Sequence, residues 1–154
     1  MKKQTKRRIR ISGGVLFALY IAALIYLLFF ADSYGRTADY MLRYNLVPLR
    51  EIRRFLDNPG TLGIRAVFLN VYGNILGFIP FGAILPVLHR ALRHWYRILF
   101  LAAAFSACVE LTQLLTGRGI FDIDDIILNT LGGAAGYIIF VICNALRKRH
   151  SRYS

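Results

Sequence analysis

Acidic residues are scarce in this 154-residue chain: 8 Asp+Glu stand against 20 Lys+Arg, a formal charge of +12. Charge of either sign is also sparse, at 18% against 56% hydrophobic residues. An ordinary soluble domain carries roughly 25% charged residues. Such hydrophobicity excludes a disordered basic tail. It also argues against nucleic acid as a partner, because a soluble binder sets its basic residues on an ordinary globular composition. The two cysteines, Cys108 and Cys143, both fall in apolar stretches, so no disulfide framework is expected and both read as packing residues. No glycine-rich phosphate loop of the Walker type appears, which argues against ATP-driven transport. The three histidines, His89, His94 and His150, lie far along the chain's topology from the acids. A phosphohistidine phosphatase or a Ser-His protease therefore lacks its base, and a zinc site lacks its nitrogen and sulfur ligands.

Where charge is absent altogether, the class emerges. No Asp, Glu, Lys or Arg occurs in residues 11–31, 66–89 or 126–146, and residues 98–117 hold only Glu110. A helix needs about 20 apolar residues to cross the hydrocarbon of a bilayer. The expected fold is an all-α four-helix transmembrane bundle with spans at 11–31, 66–89, 98–117 and 126–146. Residues 1–10 form a basic N-terminus, 11–146 a single membrane domain and 147–154 a basic tail. The first apolar run exceeds the 7–15 residues of a typical signal-peptide core, and Phe30-Ala31-Asp32-Ser33 offers no clean cleavage site. An uncleaved signal anchor is expected.

Basic residues give the expected orientation. Residues 1–10, the 89–97 connection and the tail after Leu146 together hold 13 Lys+Arg and no acid. The positive-inside rule puts all three in the cytoplasm, giving a multi-pass cell-membrane protein with both termini inside. Residues 32–65, expected outside, carry six arginines and four acids. Within that loop Pro48 suits the first turn of a short helix, with Leu49, Ile52 and Phe55 on one face and Arg50, Glu51, Arg53 and Arg54 on the other. Asp57-Asn58-Pro59-Gly60 is a turn signal that ends it. Such a helix fits an interfacial position on the outer leaflet and equally a connector packed on the bundle.

Polar residues inside the spans gather at the expected outer end. Asn70 and Asn74 lie one turn apart in the second span, and Glu110 and Gln113 near the outer end of the third. Arg118, between two glycines, is expected to bend inward. A helix starting near Asp122 would align Asp122, Asp125 and Asn129, leaving Asp124 solvated. A carboxylate at membrane depth costs roughly 2–3 kcal/mol or more unless paired, so Glu110 should face the bundle interior. Two readings stand. The group is a pocket for a lipid or cell-wall precursor headgroup, or it is interhelical glue in which Glu110 bonds Asn74, Asn129 or Gln113. A divalent cation such as Mg²⁺ on Asp122, Asp125 and Glu110 would make a third reading, a lipid-modifying enzyme. Asp122-Ile123-Asp124-Asp125 lacks the glycine and the distant glutamate of an EF-hand. Close helix approach is expected at Gly73/Gly77, Gly132/Gly136 and Ala103/Ala107, with a kink at Pro80.

The motifs Asn45-Leu46-Val47-Pro48-Leu49 and Asn74-Ile75-Leu76-Gly77-Phe78-Ile79-Pro80-Phe81-Gly82 resemble the VanZ-like family of bacterial membrane proteins. So do Glu110-Leu111-Thr112-Gln113, Gly117-Arg118, Asp122-Ile123-Asp124-Asp125 and Asn129-Thr130-Leu131-Gly132-Gly133, in order across residues 45–142. Leu49, where Phe is common after the proline, is a departure. The resemblance implies an envelope role tied to resistance to the glycopeptide teicoplanin, with no agreed enzymatic activity.

Overall fold

The computed structural model describes residues 3–30, 44–57, 60 and 67–153. The expected features at residues 31–43, Asn58-Pro59 and 61–66 lie outside the described residues. Helix α1 (Lys3–Phe30) is followed by the two-residue strand β1 (Tyr44–Asn45) and the short α2 (Arg50–Asp57). A π-helical turn at Phe68–Tyr72 runs into α3 (Gly73–Leu88), and a 3₁₀ turn at Arg90–Leu92 leads to α4 (Trp95–Thr116). Strand β2 (Phe121–Asp122) precedes α5 (Ile123–Tyr153). Four segments are long and apolar enough to cross a membrane: Ile11–Phe29, Phe68–Leu88, Trp95–Thr116 and Ile123–His150.

The bundle is organised around α3 and α5, which share the most extensive helix contact. Glycine makes it possible. A β-carbon at Gly132 would strike the Ile75 carbonyl, one at Gly136 the Ile79 carbonyl, and one at Gly82 the Gly133 carbonyl. Without a hydrophobic driving force between helices in lipid, such backbone proximity supplies the dispersion energy. Gly82 thus plays the part expected of Gly73, whose added β-carbon would meet only its own helix at 3.9 Å. On α4 the buried small residues are Ala102 and Ser106 rather than Ala103 and Ala107, and Ala102 abuts Gly133. Pro80 and Pro86 both lie inside α3.

α1 leans on this pair through Leu24 and Phe17, packed with Phe78, Phe81 and Ala102. The Tyr20 hydroxyl donates to the Gly77 carbonyl at 2.6 Å. Most other large side chains of α1, including Leu16, Leu19 and Tyr26, are exposed, as suits a lipid-facing surface. Cys108 and Cys143 are exposed too, so they are not the packing residues expected from their apolar surroundings. A thiol is small and apolar enough to face lipid at little cost.

Helix α4 ends in a Schellman motif: Arg118 N–H donates to the Gln113 carbonyl and Gly117 N–H to the Leu114 carbonyl. Gly117 adopts the left-handed conformation this requires, φ 66°. The chain reverses there and enters β2, which pairs in parallel with β1, Tyr44 opposite Phe121 and Asn45 opposite Asp122. This pairing draws residues 44–57 onto the end of the bundle where α1 and α4 finish and α5 begins.

Candidate functional site at the polar end of the bundle

Helix α5 begins at Ile123, one residue later than a shared face for Asp122, Asp125 and Asn129 requires. Asp122 is its N-cap, with Oδ1 accepting the Asp124 N–H at 2.9 Å. The same oxygen accepts from Asn45 Nδ2 at 2.9 Å, and Asp122 N–H donates to Glu110 Oε2 at 2.9 Å. Glu110 is therefore turned inward, with Oε2 accepting from the backbone of β2. Burial pushes the Asp122 carboxyl above its ordinary value, with the charges of Asp124 and Glu51 adding to the rise. The Asp124 N–H and the Asn45 amide oppose it.

Asp124 is almost wholly buried, at 1% exposure, and not solvated as the helical wheel implied. Helix α2 has Leu49 where an N-cap Ser, Thr, Asp or Asn is favoured. Asp124 supplies the missing cap from another helix. Its Oδ1 accepts Leu49 N–H at 2.5 Å, and its Oδ2 accepts Glu51 N–H at 2.8 Å and Ile52 N–H at 3.2 Å. A carboxylate there also complements the positive end of the α2 dipole. The helix starts at Arg50, so Pro48 and Leu49 form the turn before it, with Leu49 at φ 66°. Ile52 and Phe55 pack against Val67, Val71 and Leu128, which makes α2 a connector seated on the bundle.

Asp125 faces α3, its Oδ1 accepting from Asn74 Nδ2 at 2.7 Å. The same Nδ2 donates to the Asn70 carbonyl at 2.9 Å in the π-helical turn. Successive acids of the Asp122–Asp125 run thus tie different elements: Asp122 to β1, Asp124 to α2, Asp125 to α3. Among the described residues no group of three or more His, Cys, Asp and Glu is placed to hold a metal ion. The expected triad of Glu110, Asp122 and Asp125 is not such a group: Glu110 accepts from the Asp122 N–H, Asp122 from Asn45 Nδ2 and Asp125 from Asn74 Nδ2.

A second cluster lies deeper, along the face of α4 that carries Ser106, Glu110 and Gln113. All three are buried, as is Asn129 opposite them on α5. Asn129 Nδ2 bonds Ser106 Oγ at 2.8 Å, and Gln113 Nε2 donates at 2.8 Å to the Leu28 carbonyl in the last turn of α1. The remaining amide oxygens, Gln113 Oε1 and Asn129 Oδ1, are buried without a partner. Arg118, which follows Gly117 in the Schellman turn, is exposed. Glu110, Gln113, Asn129, Asp122, Asp125 and Asn74 thus lie at one end of the bundle, with Asn70 half-buried beside them and Arg118 exposed. Sequence reasoning missed Asn45, Ser106 and Asp124. The uncapped start of α2 was the available signal for Asp124, and the four-residue step from Ser106 to Glu110 the signal for Ser106.

Four apolar helices closed over buried carboxylates and amides at one end define a multi-span integral membrane protein. The VanZ/LLP1 family model matches residues 17–144, and the chain belongs to that family. It is similar to Protein VanZ of Enterococcus faecium, 28% identical over 134 residues, covering 87% of this chain and 76% of that protein. No solved structure matches.

Proposed function

We propose that this chain is a multi-pass cell-membrane protein of the envelope that lowers sensitivity to teicoplanin-type glycopeptides. On this reading its polar end faces outward and binds a lipid or cell-wall precursor headgroup. The 13 basic residues of the two terminal segments and the 89–97 connection support the orientation, with both termini in the cytoplasm. The observation that carries the pocket is the pair of orphaned oxygens, Gln113 Oε1 and Asn129 Oδ1. A buried carbonyl without a donor costs about 1–3 kcal/mol, a cost that a ligand donor would remove. Together with Glu110 they make a lining of acceptors, so the matching headgroup groups are hydroxyls or an ammonium. Arg118 on the rim would meet the phosphate of the same headgroup. Occupying such a precursor would hinder the antibiotic's approach to it.

A second reading, a structural bundle, draws support from the bonds that tie Asp122, Asp124 and Asp125 to three different elements. The two separate in a glycopeptide-sensitive host expressing wild type, Glu110→Gln or Arg118→Ala. Headgroup binding expects normal membrane levels of both variants and lost protection. Full protection by both variants contradicts it, and lost stability of Glu110→Gln in detergent, without any lipid recovered from wild type, favours the structural bundle.

A further inference from the structure

At the opposite end of the bundle, the connection from α3 to α4 and the first turn of α4 hold Arg90, Arg93 and Arg97 and no acid. Arg93 is half-buried and fixed on three sides. Its Nε donates to the Pro86 carbonyl at 3.2 Å, near the end of α3. Its guanidinium lies 5.8 Å from the Phe140 ring centroid, and its own carbonyl accepts the Tyr137 hydroxyl at 2.6 Å. Arg97 reaches back across the 3₁₀ turn, Nη1 donating to the Ala91 carbonyl at 2.7 Å, with the guanidinium 5.8 Å from the Tyr96 ring.

Each of these partners is neutral. Among the described residues no carboxylate pairs with Arg93 or Arg97, so two positive charges are held in place and left uncompensated. A guanidinium has five donors in a planar fork, and one bond to a carbonyl leaves most of that fork available for phosphate oxygens. Anchoring also removes most of the side-chain entropy a flexible cation would lose on binding. The next residues fix the depth. Trp95 and Tyr96 are exposed at the start of α4, as amphipathic rings at headgroup level are. We infer that Arg93 and Arg97 form a preorganised site for the phosphate of an anionic phospholipid. Lys148 and Arg149, exposed at the end of α5, add diffuse attraction without anchored geometry. This site is independent of the polar end and of any ligand bound there.

Native mass spectrometry of the full chain, released from phosphatidylcholine bilayers containing some phosphatidylglycerol, reads it directly. Wild type should retain phosphatidylglycerol in preference to phosphatidylcholine. Arg93→Gln with Arg97→Gln should cut that preference roughly tenfold or more, the effect of losing charge-assisted bonds. Lys148→Gln with Arg149→Gln removes the same charge and should change it by no more than about twofold, because unanchored rim charges contribute little. If the first double variant fails to fold in phosphatidylcholine alone, Arg97→Lys carries the test, expected to lower the preference with charge retained. Equal losses in the two double variants, or an unchanged preference in Arg97→Lys and the first pair, would overturn the site. Displacement of the lipid by inorganic phosphate at matched concentration would overturn its assignment to a lipid.

Discussion

The carboxylate of Asp124 accepts the backbone N–H of Leu49 at 2.5 Å from 75 residues further along the chain. The start of one helix is thereby capped by the first turn of another. Losing a cap costs about 1–2 kcal/mol, and Asp124→Ala orphans two further donors, Glu51 N–H and Ile52 N–H. Its thermal unfolding in detergent should show a loss of at least about 2 kcal/mol, where a solvated aspartate would cost under about 0.5 kcal/mol. Asp124→Asn, which keeps one acceptor, should fall between.

Asp122 gives the protein a pH dependence of definite sign. Its folded-state pKa is raised above the ordinary 3.8, chiefly by burial. Its contribution to stability is therefore complete below the unfolded pKa and lost as pH rises through the raised folded value. The thermal midpoint of wild type should fall relative to that of Asp122→Asn as pH increases over this interval. The asparagine keeps an Oδ1 to accept from Asn45 and Asp124 N–H and carries no charge to desolvate. Parallel pH profiles for the two proteins would contradict this.

Glycine substitutions should divide sharply. Gly132→Ala drives a β-carbon into the Ile75 carbonyl, and Gly82→Ala into the Gly133 carbonyl. Rigid backbone cannot yield as a side chain can, so each should cost roughly 1–3 kcal/mol or more. Gly73→Ala meets nothing nearer than 3.9 Å and should stabilise the helix by about 0.5–1 kcal/mol. Denaturation of purified variants in detergent distinguishes the two groups.

Leu49 sits at φ 66°, a conformation that costs a residue with a β-carbon roughly 1–2 kcal/mol. Its side chain is exposed, so Leu49→Gly gives up little packing. That variant should match or slightly exceed wild type in thermal midpoint, whereas Leu49→Val, branched at the β-carbon, should fall below it.

The four spans could be read from residue order because a bilayer imposes one rule, a charge-free run of helix length. Their edges could not. Trp95, Tyr96 and Arg97 extend α4 beyond its charge-free part, since aromatic rings and a snorkelling arginine are at ease at a helix end. The gathering of Glu110, Gln113, Asn74 and Asn129 at one end was also legible, because helix direction and depth follow from span order. The bonding partners of Asp122 and Asp124 were not. Their surroundings are set by β1 pairing with β2 across 77 residues, a contact that leaves no periodicity in the sequence.

The central claim is that the orphaned oxygens of Gln113 and Asn129 receive the donors of a bound headgroup. The most direct measurement is mass spectrometry of lipid-soluble material copurifying with wild type and with Gln113→Met, Asn129→Leu and Glu110→Gln. The account predicts one hydroxyl- or amine-bearing lipid species retained by wild type and depleted in all three variants, at matched yield and helicity. The same lipid profile from wild type and every folded variant would contradict it.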